Sequence, residues 1–227
     1  MEALLTNLKI RISDKIYIKD PESSDLGRKI LKNSIELLDE LGFEQFTFKK
    51  LGARINSPES SVYRYFENKH KLLLYLTNWY WGWIEYKLVI ETYGIPEPAL
   101  KLKKAIEVVA DEVNIDNRFD HINEILLHNI VVFDSRKIFL TKDVDQENTE
   151  GHFMFYKQLA KRLTDIVQDA DPEYKYAKTL VTIILEETMN QQFLKKHFPT
   201  ITDCNENVSV TEVLTHMVFN NLNINNE

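Results

Sequence analysis

Apolar residues recur at helical spacing along most of this chain. Ile30, Leu31, Ile35, Leu37, Leu38 and Leu41 form one buried stripe, which follows a start signal of cap, proline and acid at Asp20-Pro21-Glu22 and stops at Gly42. Leu51 and Ile55, four apart, predict a short second helix over about 47–55, in which Gly52 and Ala53 are small enough for another helix to come close. Asn56 tolerates the left-handed backbone that ends a helix. Ser57-Pro58-Glu59 starts the next, with Ser57 as N-cap, Pro58 at the first helical position and Glu59 against the positive end of the dipole. Val62 and Phe66 supply its inward face over about 58–66, so Ser60, Ser61, Arg64 and Tyr65 are expected to point outwards. Asn68 caps a longer helix over about 69–92, ended by Gly94 and Pro96. Further helical patterns cover about 98–113, 120–134, 147–170, 172–197 and 210–223, with polar breaks at 205–207 and 220–226. No heptad runs through them, so the pattern predicts an all-α globular bundle and not a coiled coil.

The first nineteen residues follow a different period. Ile10, Ile12, Ile16 and Ile18 alternate with Lys9, Arg11, Lys15 and Lys19 on either side of Ser13-Asp14, which suggests two short extended segments or a small hairpin. Such a basic arm follows a DNA backbone or minor groove, or it folds against its own domain or a partner. Three segments result: an arm over 1–19, a helix-turn-helix unit over 20–70, and a helical body over 71–227, to which the resemblance set out below assigns ligand binding and dimerisation.

A short helix with small polar and basic groups outside has the shape that enters a major groove. The run Leu41-Gly42-Phe43, Thr47-Phe48-Lys49-Lys50-Leu51, Ser57-Pro58, Val62-Tyr63-Arg64-Tyr65-Phe66, Lys69 and Leu72 resembles the DNA-binding region of the TetR family of bacterial transcription regulators. The match spans residues 25–75 and keeps the family spacing from Thr47 through Tyr63 to Lys69 without a gap. Two positions depart from it: Ile55-Asn56 stands where Ala-Gly is usual, and Glu59 where Lys is common, which leaves the recognition helix less basic.

The resemblance implies a DNA-binding set of Thr47, Lys49, Lys50, Ser57, Glu59, Ser60, Ser61, Tyr63, Arg64, Tyr65 and Lys69. Thr47 and its neighbouring amides would hold a phosphate, and Lys49 or Lys50 would reach DNA. Tyr63 and Lys69 resemble the family's phosphate contacts. Ser60, Ser61 and Arg64 are better placed for base edges. The resemblance also implies a double-stranded operator, a homodimer and a small-molecule effector as partners, and no catalytic residue or cofactor.

Charge changes the picture in one respect. Residues 1–75 hold 13 Lys and Arg against 11 Asp and Glu, whereas 76–227 hold 15 against 24, within a net charge of −7. An acidic bulk is repelled by phosphate, so a DNA-binding face has to be local and lie in the first part. The single Cys204 excludes an internal disulfide and a thiolate metal cluster. No signal peptide is visible, and the most apolar stretch, 72–90, is interrupted by Thr77, Asn78, Glu85 and Lys87. A cytoplasmic protein without a membrane partner is expected.

The other candidate chemistry is weaker. Trp79, Trp83 and Tyr86 share one helix face, as either core or the lining of a ligand pocket. His121, Glu124 and His128 span two turns, too far for one ion, and read as a solvated polar face with no metal. His152 has no partner at a telling spacing. The helices over 172–197 and 210–223 carry more apolar positions than one core would bury, which suits a dimer of paired helices, with Ile184, Met189, Leu214 and Val218 as interface candidates. The expected function is a ligand-responsive repressor of this family, not an enzyme. The alternative is a helical small-molecule-binding protein or enzyme whose head has lost specific DNA binding.

Overall fold

The computed structural model describes residues 10–116 and 119–224, and among these it contains helices and no strand. The helices are α1 (Asp25–Gln45), α2 (Phe48–Arg54), α3 (Glu59–Tyr63), α4 (Lys69–Thr92), α5 (Pro98–Ala110), α6 (Glu124–Asp134), α7 (Arg136–Phe139), α8 (Val144–Thr149), α9 (Met154–Ala170), α10 (Ala177–His197) and α11 (Val210–Asn221). The chain divides into two compact units, residues 1–80 with 113–154, and residues 81–112 with 155–227. Compactness thus groups the chain differently from the segments 1–19, 20–70 and 71–227, because the stretch 113–154 packs with the helix-turn-helix. No helix among the described residues is long and apolar enough to cross a membrane.

The first unit is built from local signals. Ser24 caps α1 by accepting from the Gly27 amide, and Gly42, at φ 73°, stops its regular course where the sequence placed the stop. A 3-10 turn, Pro21–Ser23, lies so close to α1 that a Cβ on Gly27 would fall 2.1 Å from the Pro21 carbonyl oxygen. Asn56 adopts φ 52° between α2 and α3, and the Asn68 side chain accepts from the Lys71 amide at 2.9 Å to start α4. From Leu72 to Ile84 every residue of α4 is buried, as for a helix that is apolar all round. Helix α6 packs on α1. Asn129 donates to Asp39 at 3.0 Å, the Phe43 amide donates to Asp134 at 3.2 Å, and Lys137 bridges Glu44 at 2.7 Å and Asp134 at 3.1 Å.

Several expectations are corrected here. Residues 10–19 form no hairpin: Ile10, Ile12 and Ile16 are buried, and the Ile18 amide donates to the Tyr65 carbonyl at 2.8 Å. The alternation therefore records one apolar edge folded onto the helices, with backbone pairing to the head and not to a second strand; residues 1–9 lie outside the described part. The helix expected over 147–170 is two helices, because Gly151 adopts φ 85° between them. Helix α6 starts at Glu124, where Asn123 caps it. Ala53 is exposed, and Gly52 alone makes the close approach. Helix α7 carries too few residues to show a period.

In the second unit α5, α10 and α11 pack on one another. Tyr156 on α9 donates to Glu186 on α10 at 3.0 Å, and its ring meets the edge of Trp81 with centroids 5.2 Å apart. Arg162 is paired with Glu85 at 2.8 Å, and Gln192 donates to the Ala110 carbonyl at 3.3 Å.

Candidate nucleic-acid interface

Helices α2 and α3 meet at a glycine. A Cβ on Gly52 would come 2.8 Å from the Ser57 carbonyl oxygen and 3.1 Å from the Glu59 amide nitrogen, so only glycine allows this approach. Val62 and Phe66 are fully buried behind α3, as the sequence predicts, together with Phe48 and Leu51 from α2. Burying each such side chain contributes about 1.5–3 kcal/mol, which holds a five-residue helix that has no stability of its own. The Thr47 hydroxyl caps α2 by accepting from the Lys50 amide at 3.2 Å. The start of α3 is displaced by one residue from the expected capping: Pro58 occupies the N-cap position, and the Ser57 amide donates back to Gly52.

The cations around this motif fall into two groups. One group is consumed by the fold. Lys29 donates to the Ile55 carbonyl at 2.8 Å and fixes the turn, and Lys50 donates to the Gln45 carbonyl at 2.8 Å. Arg54 binds Glu40 at 2.7 Å and Glu36 at 3.1 Å, and its hydrogen bond holds the Glu40 carboxyl below the usual range. Lys69 donates to the Phe43 carbonyl at 2.8 Å, with Glu44 and Phe46 carbonyls at 3.3 and 3.5 Å and the Phe43 ring 4.5 Å away. The Phe43 and Glu44 carbonyls lie in the last turn of α1, where a helix end leaves carbonyls unpaired and a cation opposes the negative end of the dipole.

The other group is free. Lys49 and Arg64 are exposed, and neither makes an ion pair or side-chain hydrogen bond with the described residues. Ser60 is exposed and Ser61 half-buried at the same surface. Tyr63 leaves 47% of its surface open while its ring rests edge-on against Phe48, with centroids 5.0 Å apart. A phenol held in this way keeps its hydroxyl outward, as a donor to an anionic oxygen requires. Thr47 is exposed, and Ser57 and Glu59 are half-buried beside it.

Tyr65 is a correction. It is 3% exposed, its hydroxyl shares a 2.9 Å hydrogen bond with Ser24, and Lys19 lies 5.2 Å over its ring. Helix α3 ends at Tyr63, so the helical period that put Tyr65 outside no longer applies two residues on.

The remaining candidates disperse. Trp79, Trp83 and Tyr86 are buried, and none lines either of the two described cavities. His121 faces Glu22 at 2.8 Å, Glu124 accepts from the Asp116 amide at 3.2 Å, and His128 meets the Tyr80 hydroxyl at 2.8 Å, so the three side chains do not converge. Burial lifts the Tyr80 phenol above its usual range. Ile184, Leu214 and Val218 are corrected as interface candidates: each is at most 3% exposed within this one chain, because these faces of α10 and α11 pack on their own unit. Met189 is half-buried. The apolar side chains that these helices leave open are Ile183 at 48% and Met217 at 58% exposure. The sequence could not separate these faces, since both helices are apolar on more than one side.

The site has the form of a helix-turn-helix whose short second helix presents polar tips without partners among the described residues. Residues 30–76 match the family described as bacterial regulatory proteins, tetR family. That match is confined to the helix-turn-helix segment and the start of the helix that follows it. No curated protein sequence matches the chain. Among solved structures it resembles the TetR family transcriptional regulator PfmR from Thermus thermophilus, with TM-score 0.57 and 12% identity, covering 90% of this chain and 98% of that one. It also resembles AibR in complex with isovaleryl coenzyme A and operator DNA, with TM-score 0.54 and 14% identity over 85% and 96% of the two chains. A transcriptional regulator from Rhodococcus sp. Rha1 is similar at TM-score 0.53 and 12% identity over 91% and 100%. At these identities the likeness concerns the fold.

Proposed function

We propose that this protein is a ligand-responsive repressor that binds a palindromic operator as a homodimer. The observation that carries the reading is the partition of charge at the helix-turn-helix. Lys29, Lys50, Arg54 and Lys69 are held by carbonyls or carboxylates, while Lys49, Arg64, Ser60, Ser61 and the Tyr63 hydroxyl stand outward without internal partners. Lys49, Thr47 and Tyr63 bind phosphate and set the register, and Ser60, Ser61 and Arg64 meet base edges. Ser57 and Glu59 border the groove. Lys50 and Lys69 add positive potential at the DNA while their ammonium groups stay on the protein.

Two heads in a symmetric dimer meet half-sites about 34–36 Å apart on one duplex. The open residues Ile183 on α10 and Met217 on α11 are the interface this reading selects. A small molecule bound in the helical body releases the operator by as much as it binds the released form more tightly. That the AibR structure holds both isovaleryl coenzyme A and operator DNA supports a single fold serving both partners.

The test is a salt titration of binding to genomic fragments and to random-sequence DNA. A regulator binds some fragments at least about 10³-fold more tightly than random DNA at physiological salt. Equal affinity for every fragment contradicts the reading.

A further inference from the structure

One cluster of ionisable groups lies outside the DNA-binding surface and has no part in it. His152, in the turn between α8 and α9, is fully buried. Its Nδ1 accepts a hydrogen bond from the Lys71 ammonium at 3.4 Å, and its backbone amide donates to the Glu147 carbonyl at 3.0 Å. The Glu147 carboxylate, itself buried, accepts from Lys71 at 3.0 Å and meets His70 Nε2 at 3.0 Å. His152 Nε2 lies 3.3 Å from the Glu150 carboxylate, without the alignment of a hydrogen bond. The charged groups around the imidazole are therefore Lys71 and His70 from α4, Glu147 and Glu150 from α8 and its following turn, and Lys15 from the N-terminal arm. Three separate stretches of the first unit meet at one buried ring.

We propose that His152 is a proton-sensitive latch, closed when its imidazole is neutral, which holds residues 144–154 against the start of α4 and opens in mild acid.

The geometry fixes the protonation state of the closed form. Nδ1 accepts from an ammonium, so the ring proton sits on Nε2. A second proton has to enter at Nδ1, 3.4 Å from the Lys71 ammonium, and it displaces that hydrogen bond with a like charge. Glu147 does not relieve this at close range, since its nearest oxygen is 3.8 Å from Nδ1 and already serves Lys71 and His70. Burial and Lys71 accordingly depress the imidazole below its usual range, against the opposing pull of Glu147 and Glu150. The sign follows. An open latch exposes an ordinary histidine that binds a proton near pH 6.5, while the closed latch resists it, so closure is complete above that value and is lost as pH falls below it. Between pH 7.5 and 5.5 the opening constant of residues 144–154 rises by up to about tenfold, the limit set by the proton uptake of an ordinary histidine over that range when the closed form takes up none. Residues 69–71 lie directly after the helix-turn-helix, so the latch couples acidity to the base of the head.

The test reads the latch itself and does not depend on DNA binding. Peptide-resolved amide exchange of the full chain at pH 7.5 and 5.5, corrected for intrinsic rates, is compared for wild type and His152→Asn, whose amide oxygen keeps an acceptor opposite Lys71. Wild type loses several-fold, up to about tenfold, in protection over 144–154, and His152→Asn loses little. Equal losses in both overturn the proposal, as does a wild-type loss that His70→Gln abolishes. Should the Asn variant fold poorly, an NMR titration of wild-type His152 decides. A ring that stays neutral, protonated at Nε2, well below pH 6.5 supports the latch, and one that protonates at or above pH 6.5 overturns it.

Discussion

The ammonium of Lys69, at the first turn of α4, donates to the carbonyl oxygen of Phe43 at the end of α1, 2.8 Å away. This bond ties the entrance and exit of the helix-turn-helix across 26 residues of sequence. Its loss leaves a helix-end carbonyl without its charged partner. Lys69→Ala therefore lowers unfolding free energy by about 1.5–3 kcal/mol, the range for a hydrogen bond to a charged group. Chemical denaturation checks this, and an unchanged midpoint with an unchanged slope shows that the bond is dispensable.

Lys49 offers the contrast, since its ammonium has no partner among the described residues. Lys49→Ala leaves the denaturation midpoint where it was and lowers the salt slope of DNA binding by roughly 0.9 per phosphate contact, about twice that for a dimer. Tyr63→Phe weakens binding to all sequences alike. Salt titrations of both variants check the pair of statements, and wild-type slopes and affinities in both remove these residues from the DNA.

Ser61 and Arg64 are the residues to which the proposed function gives base readout. Ser61→Ala and Arg64→Ala change the preferred bases at a cost of roughly 1–3 kcal/mol per lost base contact, with stability little affected because neither polar tip has an internal partner. Selection from a random pool with each variant shows the change. Identical selected sites for wild type and both variants put the readout elsewhere.

Gly52 is the steric hinge of the motif. Gly52→Ala drives a methyl to 2.8 Å from the Ser57 carbonyl and destabilises the head by about 1–3 kcal/mol, the cost typical of overpacking. A thermal melt shows it directly. A Tm equal to that of wild type means that α2 and α3 are not in this close contact.

Ile183→Glu and Met217→Glu place charges on the open faces of α10 and α11, and they are expected to give folded monomers with much weaker operator binding. Ile184→Glu, one residue away but buried, instead loses helical content. Sedimentation with circular dichroism separates the cases. Dimers persisting in both surface variants move the interface off these residues.

The parts of the head legible in the sequence are those set by neighbouring residues. Gly42, Asn56 and Asn68 each need one backbone conformation or one nearby amide, so their positions alone place the helix ends. Gly52 is legible for the same reason, as a small residue inside a short helix. Tyr65 is not: a helix of five residues makes less than two turns, and the direction of the next side chains is decided by Ser24, 41 positions earlier. Lys69 looks like a surface cation until the Phe43 carbonyl is brought to it. His152 has no partner three or four positions away that a helical pattern would reveal, yet meets Lys71 81 positions away. The apolar residues of α10 and α11 show the same limit, since periodicity marks a face as apolar and leaves open whether its own chain or a second copy covers it.

The central claim, that the free tips of α3 read a specific palindrome, is tested most directly by selecting bound sequences from a random double-stranded pool with the wild-type protein at physiological salt. The account predicts one enriched inverted repeat, with half-sites centred about 10–10.5 base pairs, or a multiple of that, apart. A pool that stays random after repeated rounds, with binding that only tracks salt, contradicts it.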